Sequence, residues 1–206
     1  MQTRNIYITT GKATNKEISK AFDYIHEKGE RNLSVVNIGS YLKGLKLEEM
    51  YEGYPEMIHE LISNQGYGDI NLITNSLACH HAIILANHIN QKKKENEATH
   101  TIKKIAFISP QLTSELEFDS EYTMSLLKLN GLRKMRKILK HEQKVSELSD
   151  ESLKQIVEDG YYVPVSVVLD DEKETDYSDF VQKLMSHGLK PETEYIGKAK
   201  IKTNTL

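Results

Sequence analysis

One serine, Ser76, sits where an apolar run gives way to a helical one in residues 70–86. Ile70, Leu72 and Ile73 have the composition of a buried strand, and Asn75-Ser76 is a polar break. Leu77, Ala78, Ala82, Ile83, Ala86 and Ile89 then recur at helical spacing. A strand that turns sharply into a helix lifts the side chain at its apex above the sheet. A hydroxyl there becomes an acyl-transfer nucleophile when a base takes its proton and a third group orients that base. The same serine also has the chemistry of a helix cap, accepting from the first free amides.

All eight histidines are candidates for the base. His80 and His81 fall four and five residues past Ser76, pointing along or away from the helix rather than over its start. His26, His59, His88 and His100 are expected on helix or loop surfaces, and His187 at the opposite end of the sheet. His141, near the end of a later helix, can swing over the site. Lys200 serves as a base only if burial lowers its pKa by several units from ~10.4. Lys198, Lys200 and Lys202 together read more simply as a solvated basic tail.

Candidate acids cluster at Asp170, Asp171, Glu172, Glu174 and Asp176, which otherwise form an exposed acidic loop. They lack the D-x-D-x-D-G spacing of a calcium loop, so no metal is expected. Cys79, followed by His80, is a different candidate nucleophile, since a thiol needs less activation than a hydroxyl. It is equally the small buried residue that cysteine often is. Thr10-Gly11-Lys12 lacks the earlier glycine of a phosphate loop, and Ala13 stands where a magnesium-binding hydroxyl is needed. No G-x-G-x-x-G occurs either, and no cofactor is expected.

The elements that must position these groups alternate. Strands are expected at Ile6–Ile8, Leu33–Ile38, the run before Ser76, Ile105–Ile108, Val163–Leu169 and, more weakly, Thr193–Ile201. Helices are expected after a Thr14-x-x-Glu17 capping box, with Ile18, Ala21, Phe22 and Ile25 inward and Gly29 at the end. Others are expected over Leu47–Ile62, from Leu77, over Tyr122–His141, from a Ser149 cap, and over Asp179–His187. Residues 91–101 read as a solvated connection. This alternation predicts an α/β three-layer sandwich with a mainly parallel sheet of about six strands.

With 206 residues, 38% of them hydrophobic, the chain has enough apolar material for one domain with a real core. A net charge of -3 gives no basic field for nucleic acid or an anionic membrane. One cysteine excludes an internal disulfide and suits a reducing compartment. No apolar run reaches the ~20 residues of a membrane span, and the N-terminus leads directly into a strand with no signal-like segment. A cytoplasmic protein is the expectation.

Five landmarks, taken in order, resemble the α/β-hydrolase superfamily. Thr74-Asn75-Ser76-Leu77-Ala78 is similar to its nucleophile elbow, G-x-S-x-G, with Thr74 and Ala78 in place of the glycines. The first strand with Thr9-Thr10-Gly11-Lys12 resembles the loop that supplies one oxyanion amide. Lys104–Pro110 resembles the strand after the elbow helix, and residues 111–160 stand where the family carries a helical cap. Val163-Pro164-Val165 through Glu174 is similar to the segment that ends in the triad's acid.

The resemblance implies a single domain over 1–206 with 111–160 as cap insert. Ser76 would be the nucleophile, Glu174 the acid, and the amides of Leu77 and of Gly11 or Lys12 the oxyanion hole. The substrate would be a small ester, thioester or acyl compound. The family's histidine after the last strand has no counterpart, since no histidine follows His187 and Lys200 lies nearest. An inactive relative that binds a protein partner or small ligand is therefore the alternative. Ala78-Cys79-His80 separately resembles the A-x-C-H-G elbow of the intracellular protease and class I amidotransferase-like group, with His81 in place of the glycine.

Overall fold

Strands that carry continuous apolar runs are stable only with both faces covered, and this sheet is built that way. A computed structural model of the chain describes residues 3–9, 15–38, 53–64, 66, 68–76, 78–97, 99–110, 140, 143–169 and 178–196. The strands are β1 (Arg4–Thr9), β2 (Leu33–Asn37), β3 (Asp69–Ser76), β4 (Thr101–Pro110), β5 (Val165–Leu169) and β6 (Glu192–Tyr195). They form one sheet in the order β2-β1-β3-β4-β5-β6, and every neighbouring pair is parallel. The helices are α1 (Asn15–Glu27), α2 (Tyr54–Ser63), α3 (Ala78–Lys94), α4 (residues 143–158) and α5 (Ser178–Ser186).

Side-chain alternation divides the core into two layers. Ile6, Ile8, Leu72, Ile105, Phe107, Val165 and Val167 join Tyr54 and Ile58 of α2, the apolar face of α3, Leu153 and Ile156 of α4, and Phe180 and Leu184 of α5. Tyr7, Ile73, Ala106, Ile108 and Val168 point the other way, onto Ala21, Tyr24 and Ile25 of α1. The α/β three-layer arrangement expected from the sequence is thus present. Residues 143–158, the second part of the segment expected as a cap insert, pack on the sheet, and 111–139 lie outside the described residues.

Several boundaries differ from expectation for identifiable reasons. Helix α3 runs on to Lys94 through the stretch read as a connection. Its polar end is held by Asp159, which accepts from Asn90 Nδ2 and Gln91 Nε2 at 2.8 Å each and pairs with Lys94. Strand β4 starts at Thr101 rather than Ile105, because its first residues pair with Asp69 and Ile70 of β3. Its lysines have partners, Lys103 with Asp69 at 3.2 Å and Lys104 with Glu194.

Ser149 is buried inside α4 and does not cap a helix. Phe22 is 44% exposed, while Tyr24 takes the inward position. Helix α2 begins at Tyr54, with Pro55 in its first turn, where a missing amide costs nothing. Gly29 ends α1 as expected, at φ +76, with its amide on the His26 carbonyl at 2.9 Å. The capping threonine Thr14, residues 41–52, most of 122–141 and residues 197–201 lie outside the described residues. No described helix is long and apolar enough to cross a membrane.

Candidate active site at the carboxyl edge of the sheet

In a doubly wound sheet the crevice forms where strand order reverses, outside the carboxyl ends of the two strands involved. Here that point lies between β1 and β3, since β2 flanks β1 on one side and the remaining strands continue from β3 on the other. Strand β1 ends at Thr9, which is buried, and β3 ends at Ser76. Helix α3 is described from Ala78, two residues on from Ser76. The strand and helix expected on either side of Ser76 are thus both present, and Leu77 between them lies outside the described residues.

The neighbouring strand is irregular at the same level. Asn75 pairs with Ile108 but Ser76 pairs with Pro110, which leaves Ser109 as the extra residue of a bulge. Ser109 adopts φ +47, left-handed backbone that serine seldom occupies, and its buried hydroxyl finds no hydrogen-bond partner. Thr74 is fully buried, with its hydroxyl likewise unpartnered. Polar groups without partners and a strained residue thus collect at the end of β3 and β4, a pattern common near functional sites.

Of the residues expected in the site, Ser76 is described through its backbone only. Gly11, Lys12, Leu77 and Glu174 lie outside the described residues. Strands β1, β3 and β5, which lead into the segments holding them, all end at this edge. Cys79 is fully buried in the first turn of α3, and β3 ends three residues before it. Cys79 thus lies inside α3 rather than at the end of the strand.

Five of the described histidines fall into two groups. His80 and His81 are fully buried on α3. His81 meets the ring of Tyr54 edge-on at 5.4 Å. Neither ring nitrogen of His80 has a hydrogen-bond partner; burial, with a smaller contribution from Lys183, pushes its pKa down to about 3. His80 is thus a neutral, enclosed imidazole.

His59, His88 and His100 gather at the other edge of the sheet, where β4 begins. His59 and His100 are buried and His88 half-buried, which corrects the expectation that all three lie on surfaces. The packing of α2 on α3 and the start of β4 bring them together: the ring of His59 lies 5.3 Å from that of His88 and 5.5 Å from that of His100. Burial lowers the pKa of all three, that of His100 to about 4. Among the described residues, no imidazole stands free at the carboxyl edge to serve as base.

No protein-family model matches this sequence, and no curated protein does. Solved structures resemble it in fold. The α/β-hydrolase enzyme MGS-MChE2, from the metagenome of sediments of the Mar Chica lagoon in Morocco, superposes with a TM-score of 0.60 at 11% identity, over 96% of this chain and 81% of that one. Olei00960, a hydrolase from Oleispira antarctica, gives 0.55 at 12% identity, over 96% and 84%. The thioesterase domain from the curacin biosynthetic pathway gives 0.51 at 10% identity, over 95% and 85%. The chain therefore has the α/β-hydrolase fold.

Proposed function

From this α/β-hydrolase fold we infer a small serine hydrolase that cleaves an ester, thioester or short acyl group, with Ser76 as nucleophile. The observation that carries the reading is the junction itself: β3 ends at Ser76 at the reversal of strand order, and α3 begins at Ala78. The Ser76 hydroxyl attacks the acyl carbonyl as a base takes its proton. The resulting oxyanion accepts from the amides of Leu77 and of Gly11 or Lys12. Collapse expels the alcohol or thiol with that proton, and water then releases the acid from the acyl-enzyme. Glu174 is the acid that orients the base, and the base is unassigned. One cysteine in the chain, Cys79, fits a cytoplasmic setting for this activity.

Active-site labelling tests this reading. A fluorophosphonate probe should modify the folded protein at Ser76 and leave Ser76→Ala unlabelled. A folded protein that takes no label overturns it.

One observation favours a second reading, an inactive hydrolase-like protein that binds a small ligand or a protein partner. The described histidines are enclosed or lie at the amino edge of the sheet, away from the end of β3. That reading predicts no turnover of p-nitrophenyl esters of any chain length. It also predicts that Ser76→Ala leaves the biological effect intact.

A further inference from the structure

The histidines that this chemistry does not use fall into an arrangement of their own at the amino edge. Glu56 and His59 are three residues apart on α2 and so share one helix face. His88 approaches them from α3. One ligand atom from each of Glu56, His59 and His88 lies within 4.8 Å of the other two.

The contact inside this group is close. His88 Nε2 lies 3.0 Å from Glu56 Oε2, close enough for the two to share a proton or a cation. Two donor atoms held near 3 Å apart can both reach one shared cation, given metal–ligand distances of ~2.0–2.2 Å.

We propose that Glu56, His59 and His88 form a site for a divalent transition cation, Zn²⁺ being the ion whose donor preference they match. Two imidazoles and one carboxylate supply three ligands and leave a fourth position for water. The surroundings hold the rings in place, as second-shell contacts do at metal sites. Thr99 Oγ1 lies 3.2 Å from His59 Nε2, and His100, whose ring packs on His59, has Nε2 at 3.1 Å from Ser63 Oγ. The Glu56 side chain is 44% exposed, which gives the ion a way in from solvent.

Lys92 opposes a cation, with Nζ 3.3 Å from Glu56 Oε2. It has a second carboxylate, Glu97, at 2.7 Å, and so can give Glu56 up when the ion arrives. The bound ion would clamp α2 to α3 at the edge opposite Ser76, so the proposal is independent of the hydrolase reading.

The test is a titration of the untagged, chelator-stripped full chain with Zn²⁺ against a chromophoric chelator, with the thermal midpoint as second readout. One Zn²⁺ per chain should bind and raise the midpoint. His88→Gln and Glu56→Gln should each weaken binding at least ~10-fold. Lys92→Gln should tighten it, because the carboxylate is no longer shared. Should His88→Gln fail to fold, Glu56→Gln, altered at a partly exposed position, decides the matter. No binding at equimolar Zn²⁺ overturns the proposal, as does binding that Glu56→Gln leaves unchanged.

Discussion

Ser76 lies opposite Pro110 across β3 and β4, one position beyond the register that pairs Asn75 with Ile108, and Ser109 is the residue squeezed out. Ser109 holds φ +47 with its hydroxyl buried and unpartnered. Left-handed backbone costs a non-glycine residue ~1–2 kcal/mol, whereas glycine loses ~0.5–1 kcal/mol to entropy in the unfolded chain. The difference favours Ser109→Gly by about 0.5–1 kcal/mol, a rise in Tm of a few degrees at this chain length. Ser109→Val, which adds a β-branch at the same φ, should lower Tm. Thermal unfolding of the two variants checks the bulge, and equal midpoints would contradict it.

Glu174 is the proposed orienting acid, so its removal should act on the chemical step rather than on binding. Glu174→Gln is expected to reduce kcat roughly 10³-fold or more while KM changes little. Steady-state hydrolysis of p-nitrophenyl esters measures both. Unchanged kcat would move the acid to Asp171, Glu172 or Asp176.

How much of this was legible in the sequence follows from what each signal encodes. The strands were readable because burial on both faces demands continuous apolar runs, as in Val165–Leu169, where every residue is buried. Ser76 at the end of its strand was readable for the same reason, since apolar and helical periodicities meet there. The grouping of His59, His88 and His100 was not. Only Glu56 and His59 share a local spacing; His88 and His100 are delivered by the packing of α3 on α2 and by the start of β4. The choice of Tyr24 over Phe22 as the inward residue of α1 was also hidden. Tyr24 reaches Glu194, on a strand far along the chain.

Glu194 anchors an ion cluster that should make folding acid-sensitive. Its carboxylate receives Lys104, Lys28 at 2.5 Å and the Ser166 hydroxyl at 2.5 Å, tying α1, β4, β5 and β6 together. Burial alone would raise its pKa, but these donors outweigh it and hold the group at about 2, below the ordinary 4.5. A depressed folded pKa contributes stability that is fully present above the unfolded value and is lost as pH falls from 4.5 toward 2. Glu194→Gln should therefore lower Tm at pH 7, and the deficit against the unmodified protein should shrink at pH 3. A deficit that stays constant with pH would assign the effect to packing instead.

His80 gives the sharpest contrast between a buried polar group and an apolar replacement. Its two nitrogens have no hydrogen-bond partner, and its folded pKa is about 3 against 6.5 for a free imidazole. At neutral pH an unsatisfied buried group costs ~1–3 kcal/mol, and an apolar residue of similar size relieves that cost. As pH falls below 6.5, the unfolded chain takes up a proton that the folded chain refuses until about pH 3, so the histidine destabilises further across that interval. His80→Leu should accordingly match or exceed the unmodified Tm at pH 7 and exceed it by a wider margin at pH 5. Loss of stability at both pH values would mean that the imidazole is bonded inside the core, and the buried, unpartnered environment assigned to it on α3 would be wrong.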